Sequence, residues 1–257
     1  MDRPSAARIY DYLLGGSYNF AVDREIAEQL LAVDPRIRTA AQANRAFLRR
    51  AVRHLAGAGV RQFLDLGSGI PTVGNVHEVA QRAAPDAKVV YVDIDPMAVA
   101  HSREIIGADP HVAILQADVR DPGSILTDPA VRDLIDFTAP IAILLVALLH
   151  FIPDSDRPAE FIAEYRDAVP SGSYLVIAQV ARVDQTTAAQ EEAKRAYTRA
   201  VPVTLRKRDE LRVLFAGFDL IEPGLVEAAQ WRPESADAVE LIDLVPQLAG
   251  VGVKPQP

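Results

Sequence analysis

The 257-residue chain has no cysteine, one tryptophan and two methionines. Without cysteine, disulfides, thiol nucleophiles and every cysteine-bearing zinc or iron–sulfur site are excluded together. Long apolar runs are missing too. The longest, Ile141–Leu149, stops at His150, whereas a membrane-spanning helix needs roughly 20 such residues. Positive charge is in deficit, with 27 Lys and Arg against 35 Asp and Glu and a formal charge of −8. A nucleic-acid partner is therefore not expected, because such binding needs a basic footprint. The opening MDRPSAARIYDY lacks the apolar stretch and small-residue cleavage site of a signal peptide. A cytoplasmic protein with no membrane partner is expected. What is present, 49% hydrophobic and 24% charged residues, is a globular composition.

Strand-like and helix-like patterns alternate over most of the length. Strands are predicted at Gln62–Leu66, Lys88–Val92, Val112–Ala117, Ile141–Val146 and Tyr174–Val180, with helices over Val73–Ala84 and Pro96–Ile106. The fourth strand is apolar throughout, as a strand covered on both faces should be. This alternation predicts an α/β fold with a parallel sheet. Residues 1–57 carry three amphipathic segments and no strand. Residues 218–254 read as two further strands flanking Trp231-Arg232-Pro233, and Pro129–Pro140 and Pro153–Pro158 as loops. The expected organisation is an N-terminal helical extension, 1–57, on one compact unit, 58–257.

The segment Phe63-Leu64-Asp65-Leu66-Gly67-Ser68-Gly69-Ile70-Pro71 is the most informative. Glycines after a buried strand allow a sharp turn and close approach of a ligand, at the strand ends where α/β sheets bind ligands. A dinucleotide fingerprint would place a third glycine where Thr72 stands. Asp65, two residues before Gly67, is awkward beside a pyrophosphate but suits an ammonium group. S-adenosylmethionine has an ammonium, a sulfonium and an adenosine, and no phosphate. Asp93, at the next strand end, can accept both ribose hydroxyls, or can cap the following helix. Asp118, at the third strand end, can meet an adenine amino group beside the Val119 amide, or can simply form a turn.

Together these residues resemble the class I S-adenosylmethionine-dependent methyltransferases. More narrowly, the chain resembles a bacterial family labelled S-adenosyl methyltransferase. The narrow resemblance rests on Arg8-Ile9-Tyr10-Asp11-Tyr12-Leu13-Leu14-Gly15-Gly16, Asn19-Phe20, Asp23 and Asn44-Arg45-Ala46-Phe47-Leu48. It extends through Asp65–Thr72 with Asn75, His77 and Glu78, Tyr91-Val92-Asp93, Leu149–Asp154, Trp231-Arg232-Pro233 and Ala249–Pro255. It implies a Rossmann-like, seven-stranded, mostly parallel sheet whose last strand is antiparallel. It also implies S-adenosylmethionine as cofactor, with S-adenosylhomocysteine as product. The expected contacts are Asp65, Gly67, Ser68, Gly69, Asp93, Ile94, Asp118 and Val119, joined by Asp11, Tyr18 and Asn19. The acid usual at the start of the fourth strand is absent, since Pro140-Ile141-Ala142 stands there.

Methyl transfer from a sulfonium is an in-line displacement that gains from positioning and exclusion of water. A general base is needed only if the acceptor must lose a proton. His150 is the candidate catalytic residue, its alternative being a hydrogen-bonded structural histidine. His77 reads as helix packing or a cofactor contact. No Asn/Asp-Pro-Pro-aromatic run and no cysteine are present to modify nucleic-acid bases, so a small-molecule acceptor is expected. His77, His101, His111 and His150 show no metal-ligand spacing with carboxylates, and no metal is expected. Tyr10 to Phe20, with aromatics around Gly15-Gly16, suits a lid over the cofactor or an ordinary helix end with core aromatics. The alternatives are a non-catalytic protein that holds S-adenosylmethionine or S-adenosylhomocysteine, and an NAD-dependent oxidoreductase, which Thr72 and Asp65 disfavour.

Overall fold

The computed structural model describes residues 3–71, 74–182, 195, 202–234 and 246–256. Five aliphatic runs form the parallel strands β1 (Gln62–Leu66), β2 (Lys88–Asp93), β3 (Val112–Gln116), β4 (Ala142–Val146) and β5 (Tyr174–Val180). Three more follow, β6 (Asp219–Leu220), β7 (Val226–Glu227) and β8 (Gln247–Val253). The sheet order is β3-β2-β1-β4-β5-β8-β6, with β7 also on β8. Among the described strands only β8 runs against the others, pairing antiparallel with β5, β6 and β7. The seven expected sheet positions are thus filled by eight strands. β6 and β7 pair with successive stretches of β8, at Gly252–Val253 and Leu248–Ala249.

Three helices precede the sheet, α1 (Ala6–Leu13), α2 (Ala21–Val33) and α3 (Arg36–Gly57). Further α-helices among the described residues are α4 (Val76–Ala83), α5 (Pro96–Ile106), α6 (Pro122–Thr127), α7 (Pro129–Leu134), α8 (Pro158–Ala168) and α9 (Arg208–Val213). The stretch predicted as a loop after Pro129 therefore begins with a helix. Its start is Asp128 followed by proline, the Asp carboxylate accepting from the Ala130 amide at 2.8 Å. α5 and α6 open the same way, on Asp95-Pro96 and Asp121-Pro122. Proline suits a first helical position because its missing N–H has no intrahelical partner there.

Strand alternation sorts side chains onto two faces. Leu64, Leu66, Val90, Val92, Ile143 and Ile177 pack beneath α6, α7, α8 and α9. Phe63, Val89, Tyr91, Leu144 and Val176 pack against α4 and the second half of α3, around Trp231. Ile9, Leu13, Ala27, Leu30 and Ala41 make a third, smaller cluster among α1, α2 and the first half of α3. The long helix α3 thus belongs to both the sheet and the N-terminal helices. The order reverses between β1 and β4, and open α/β sheets bind ligands at such a point, beyond the strand carboxyl ends.

Candidate active site

A cavity of about 710 Å³ lies over those strand ends, between the start of α1, one face of α3 and the chain entering β8. Small-molecule sites span ~300–1,000 Å³. Its lining includes Asp65, Gly67, Ser68, Gly69, Asp93, Ile94 and His150. Asp11, Tyr18, Asn19, Asp118 and Val119 are not among the lining residues.

The glycine turn needs glycine for its backbone. Gly67 and Gly69 have φ of 71° and 64°, a region that costs other residues roughly 1–2 kcal/mol. The Gly67 and Ser68 amides both donate to the Val92 carbonyl, at 2.8 and 3.0 Å, which ties the turn to β2. A Cβ on residue 67 would sit 2.6 Å from Leu148, so its bareness also lets the turn after β4 close in. At Gly69 a Cβ would meet only Ala7, at 3.9 Å, across the roof of the cavity. Thr72 lies outside the described residues.

Period-two alternation turns Asp65 and Asp93 to the α3 face. Burial pushes the Asp65 carboxyl up to about 7, against the pull of Arg45 and with a further push from Asp93. Asp93 is also raised by burial, opposed by its amide donors. Those donors include Gly69 N–H at 2.7 Å and Asp95 N–H at 2.9 Å, joined by the Ile94 amide. The helix-cap alternative for Asp93 falls to Asp95, whose carboxylate accepts from Met97 N–H at 2.8 Å. Asp93 instead pins the glycine turn and faces the cavity. Beside it, Ile94 is 59% exposed and adds an apolar side chain to the cavity lining.

Residues outside the cavity have other partners. Asp118 is gripped by Arg120 through both oxygens, at 2.9 and 2.6 Å, and Arg120 also reaches Asp156. This guanidinium holds Asp118 below the usual carboxylate range. Val119 is buried, and its carbonyl accepts from the Tyr165 hydroxyl. The Asn19 amide donates to Asp11 at 2.8 Å and to the Gly16 carbonyl, closing the Gly15-Gly16 turn on itself. Tyr18 packs on His101, with centroids 4.8 Å apart. His77 hydrogen-bonds the Tyr91 hydroxyl through Nδ1, the packing role.

His150 is 5% exposed and its Nδ1 has no partner among the described residues. Burial, and secondarily Arg206, lower its pKa to about 3. Arg206 clamps the turn that carries it, donating to the Leu149 and Ile152 carbonyls, each at 2.7 Å, and to Asp154. Ala147, with φ of 58°, swings the chain from β4 onto the cavity. Relieving that strain by Ala147→Gly is expected to raise stability by about 0.5–1 kcal/mol, glycine's entropy offsetting part of the gain. A urea midpoint lower than that of the parent would show that the Ala147 methyl packs more than it strains.

The sequence reading assigned no role to Asn44, Arg45 or Gln247, which also line the cavity. Asn44 Oδ1, Arg45 Nε and Gln247 Oε1 are buried polar atoms with no partner among the described residues. The pair Asn44-Arg45 stands in the middle of α3, and only tertiary packing brings it to the strand ends.

Residues 1–255 match the model of a family described as S-adenosyl methyltransferase. The chain belongs to the S-adenosyl methyltransferase family. A candidate methyltransferase from Thermobifida fusca, known from its crystal structure, is 44% identical over 99% of this chain and 96% of its own, with a TM-score of 0.91. A DUF574 family protein from Streptomyces avermitilis is 36% identical over 99% and 98% of the two chains, with a TM-score of 0.93. Human N-acetylserotonin methyltransferase, solved in complex with SAM, shares the fold at 12% identity and a TM-score of 0.54, over 99% of this chain and 63% of its own. No protein of curated function matches the chain. The protein is thus an S-adenosylmethionine-dependent methyltransferase. The cavity of this methyltransferase fits the cofactor's chemistry, with a bare-backbone turn, buried acids for cationic and hydroxyl groups, and no phosphate cradle of three glycines. No helix of the described residues is long and apolar enough to cross a membrane. The same residues hold no group of three His, Asp or Glu placed for a metal.

Proposed function

We propose that the methyltransferase acts on a small-molecule acceptor, bound in the same cavity as S-adenosylmethionine. The observation that carries this is the continuity of one cavity from Asp65, Gly67–Gly69, Asp93 and Ile94 to an apolar region along α3. The cofactor supplies an electrophilic methyl group on sulfur. Asp65 would hold the ammonium, and Arg45 would face the carboxylate. Asp93 would accept from the ribose hydroxyls and Ile94 would cover one face of the adenine, with Asp118 and Val119 further along the same rim. His150, neutral across the working pH range, suits orienting the acceptor by a hydrogen bond better than carrying its proton.

The N-terminal helices serve in this reading as the roof, with Pro4–Ala7 forming part of the lining. Asp11, Tyr18 and Asn19 would then act through the shape of the roof rather than by contact. The formal charge of −8 supports a small acceptor over a nucleic acid. The relatives from Thermobifida and Streptomyces support a bacterial enzyme, and a cofactor made inside cells supports a cytoplasmic one.

Thermal unfolding with S-adenosylmethionine, S-adenosylhomocysteine and NAD tests the cofactor half. A ligand at a hundred times its Kd adds ~2.7 kcal/mol of stability, so both adenosyl compounds should raise Tm by several degrees and NAD should not. A Tm raised by NAD alone would overturn the assignment.

A further inference from the structure

We propose that the cavity beyond the glycine turn is an acceptor chamber for a neutral, mainly apolar molecule carrying a hydroxyl or N–H donor, and that Asn44 reads that donor. The inference rests on the glycine-turn half being the cofactor subsite. Ile37, Ala41, Asn44, Arg45 and Leu48 recur on one face of α3 at helical spacing and all line the cavity. At 1.5 Å per residue that face is about 16 Å long. Arg45 lies toward the end near Asp65. The other end is walled by Leu13, Leu30, Ile37 and Ala41, contributed by the N-terminal helices. The acid at that end, Asp34, has both oxygens held by the Arg36 guanidinium, at 2.8 Å each. That end of the chamber is therefore walled mainly by apolar side chains.

Asn44 is the decisive one. It is 2% exposed, and its orientation follows from its neighbour. The Tyr10 hydroxyl has one proton and donates it to the Ala41 carbonyl at 3.1 Å. Its oxygen can then only accept, so the Asn44 atom 2.9 Å away must be the amide nitrogen. That leaves Oδ1 as the free end, buried and without a partner among the described residues. Buried acceptors are almost always satisfied, so Oδ1 calls for a donor from a ligand. Gln247 Oε1 and His150 Nδ1 are likewise unpartnered and line the same cavity. A carboxylate or phosphate brings only acceptor atoms and would set them against Asn44 Oδ1 and Gln247 Oε1, while the α3 guanidinium, Arg45, is engaged by the cofactor's carboxylate in this reading. A phenol, alcohol or amide N–H matches the same wall.

The test is calorimetry on the protein saturated with S-adenosylhomocysteine, using 4-propylphenol, 4-propylanisole and 4-propylbenzoate as probes. The phenol is expected to bind, the anisole at least tenfold more weakly, and the benzoate not at all at equal concentration. In Asn44→Leu the phenol should fall to the level of the anisole while S-adenosylhomocysteine still binds, which also shows that the variant is folded. Equal binding of phenol and anisole, tighter binding of benzoate, or no binding of any probe at millimolar concentration would overturn the chamber. The comparison among probes on the parent protein decides the matter even if Asn44→Leu does not fold. Failure of S-adenosylhomocysteine itself to bind would count against the cofactor reading, and the same probe series, run without it, would still decide the chamber.

Discussion

Replacing Asp65 by asparagine is expected to make the free methyltransferase more stable and its cofactor complex weaker. The folded carboxyl keeps its proton to about pH 7, whereas an unfolded aspartate loses it near ~3.9. Between those values the folded state binds more protons, so stability falls as pH rises through the window. Asparagine has no charge to desolvate. At pH 8 the variant should therefore gain on the order of 2–4 kcal/mol over the parent, and below pH 4 the two should converge. Cofactor binding should move the other way. A charge-assisted bond to the ammonium contributes roughly 1.5–3 kcal/mol, so S-adenosylhomocysteine should bind at least tenfold more weakly at pH 8. In the parent its affinity should climb with pH up to about 7 and then level, because only the ionised Asp65 attracts the ammonium. In the variant the climb should vanish. No limb from His150 is expected near pH 6.5, since that ring stays neutral down to about pH 3. Calorimetry across pH 5.5–8.5 decides it, and an unchanged affinity in Asp65→Asn would remove Asp65 from the ligand.

The second large effect is expected at Arg8. Its guanidinium donates to Asp23 at 2.7 Å and approaches Asp95 at 3.4 Å, with Asp23 fully buried. Ser5 closes the same cluster, its amide on Asp23 and its hydroxyl on Asp95. Arg8→Ala would leave a buried carboxylate without its counter-charge, a change that typically costs 3–5 kcal/mol. The loss should show first as faster amide exchange over residues 4–14 and as weaker cofactor binding, because Pro4–Ala7 line the cavity. Arg8→Met with Asp23→Asn should recover part of the loss, since the amide oxygen still accepts from Ser5 without stranding a charge. In the parent, cofactor should slow exchange over residues 8–20 if these helices close as a lid. Exchange that is slow and indifferent to ligand would make them a fixed wall. A destabilisation by Arg8→Ala below about 1 kcal/mol would show that the ion cluster does not hold the roof.

Much of the fold was legible because its signals are local. The apolar runs from Gln62 to Val180 mark β1 to β5 closely and place Asp65 and Asp93 at or near strand ends, whereas their common face follows from the β1–β2 register, Asp65 lying beside Tyr91. Asp128-Pro129 also announced a helix start, but the prolines around it read as a loop. β6 and β7 are too short to carry a period, so one broken sheet position looked like a single strand. The site divides in the same way. Asp65, the glycines, Asp93 and Ile94 sit where a strand end puts them, whatever the rest of the chain does. Asn44, Arg45 and Gln247 reach the cavity through packing between distant segments, which no spacing in the sequence encodes. Asp118 had its partner two residues away in Arg120, and a carboxylate so close to a guanidinium is rarely left open.

The reversed direction of β8 decides which parts of the chain can retune this enzyme. The parallel strands β1, β2, β4 and β5 deliver the residues that follow them to the ligand rim. β8 instead brings its start there, since Gln247 pairs with Val180 and lines the cavity with Pro246. Its far end emerges on the opposite side, where Lys254 donates to the Arg166 and Val169 carbonyls at the close of α8. A label, affinity tag or surface tether attached beyond Val253 therefore stands a full sheet's height from the acceptor. Substitutions at Pro246 and Gln247 would instead rewrite the cavity wall itself.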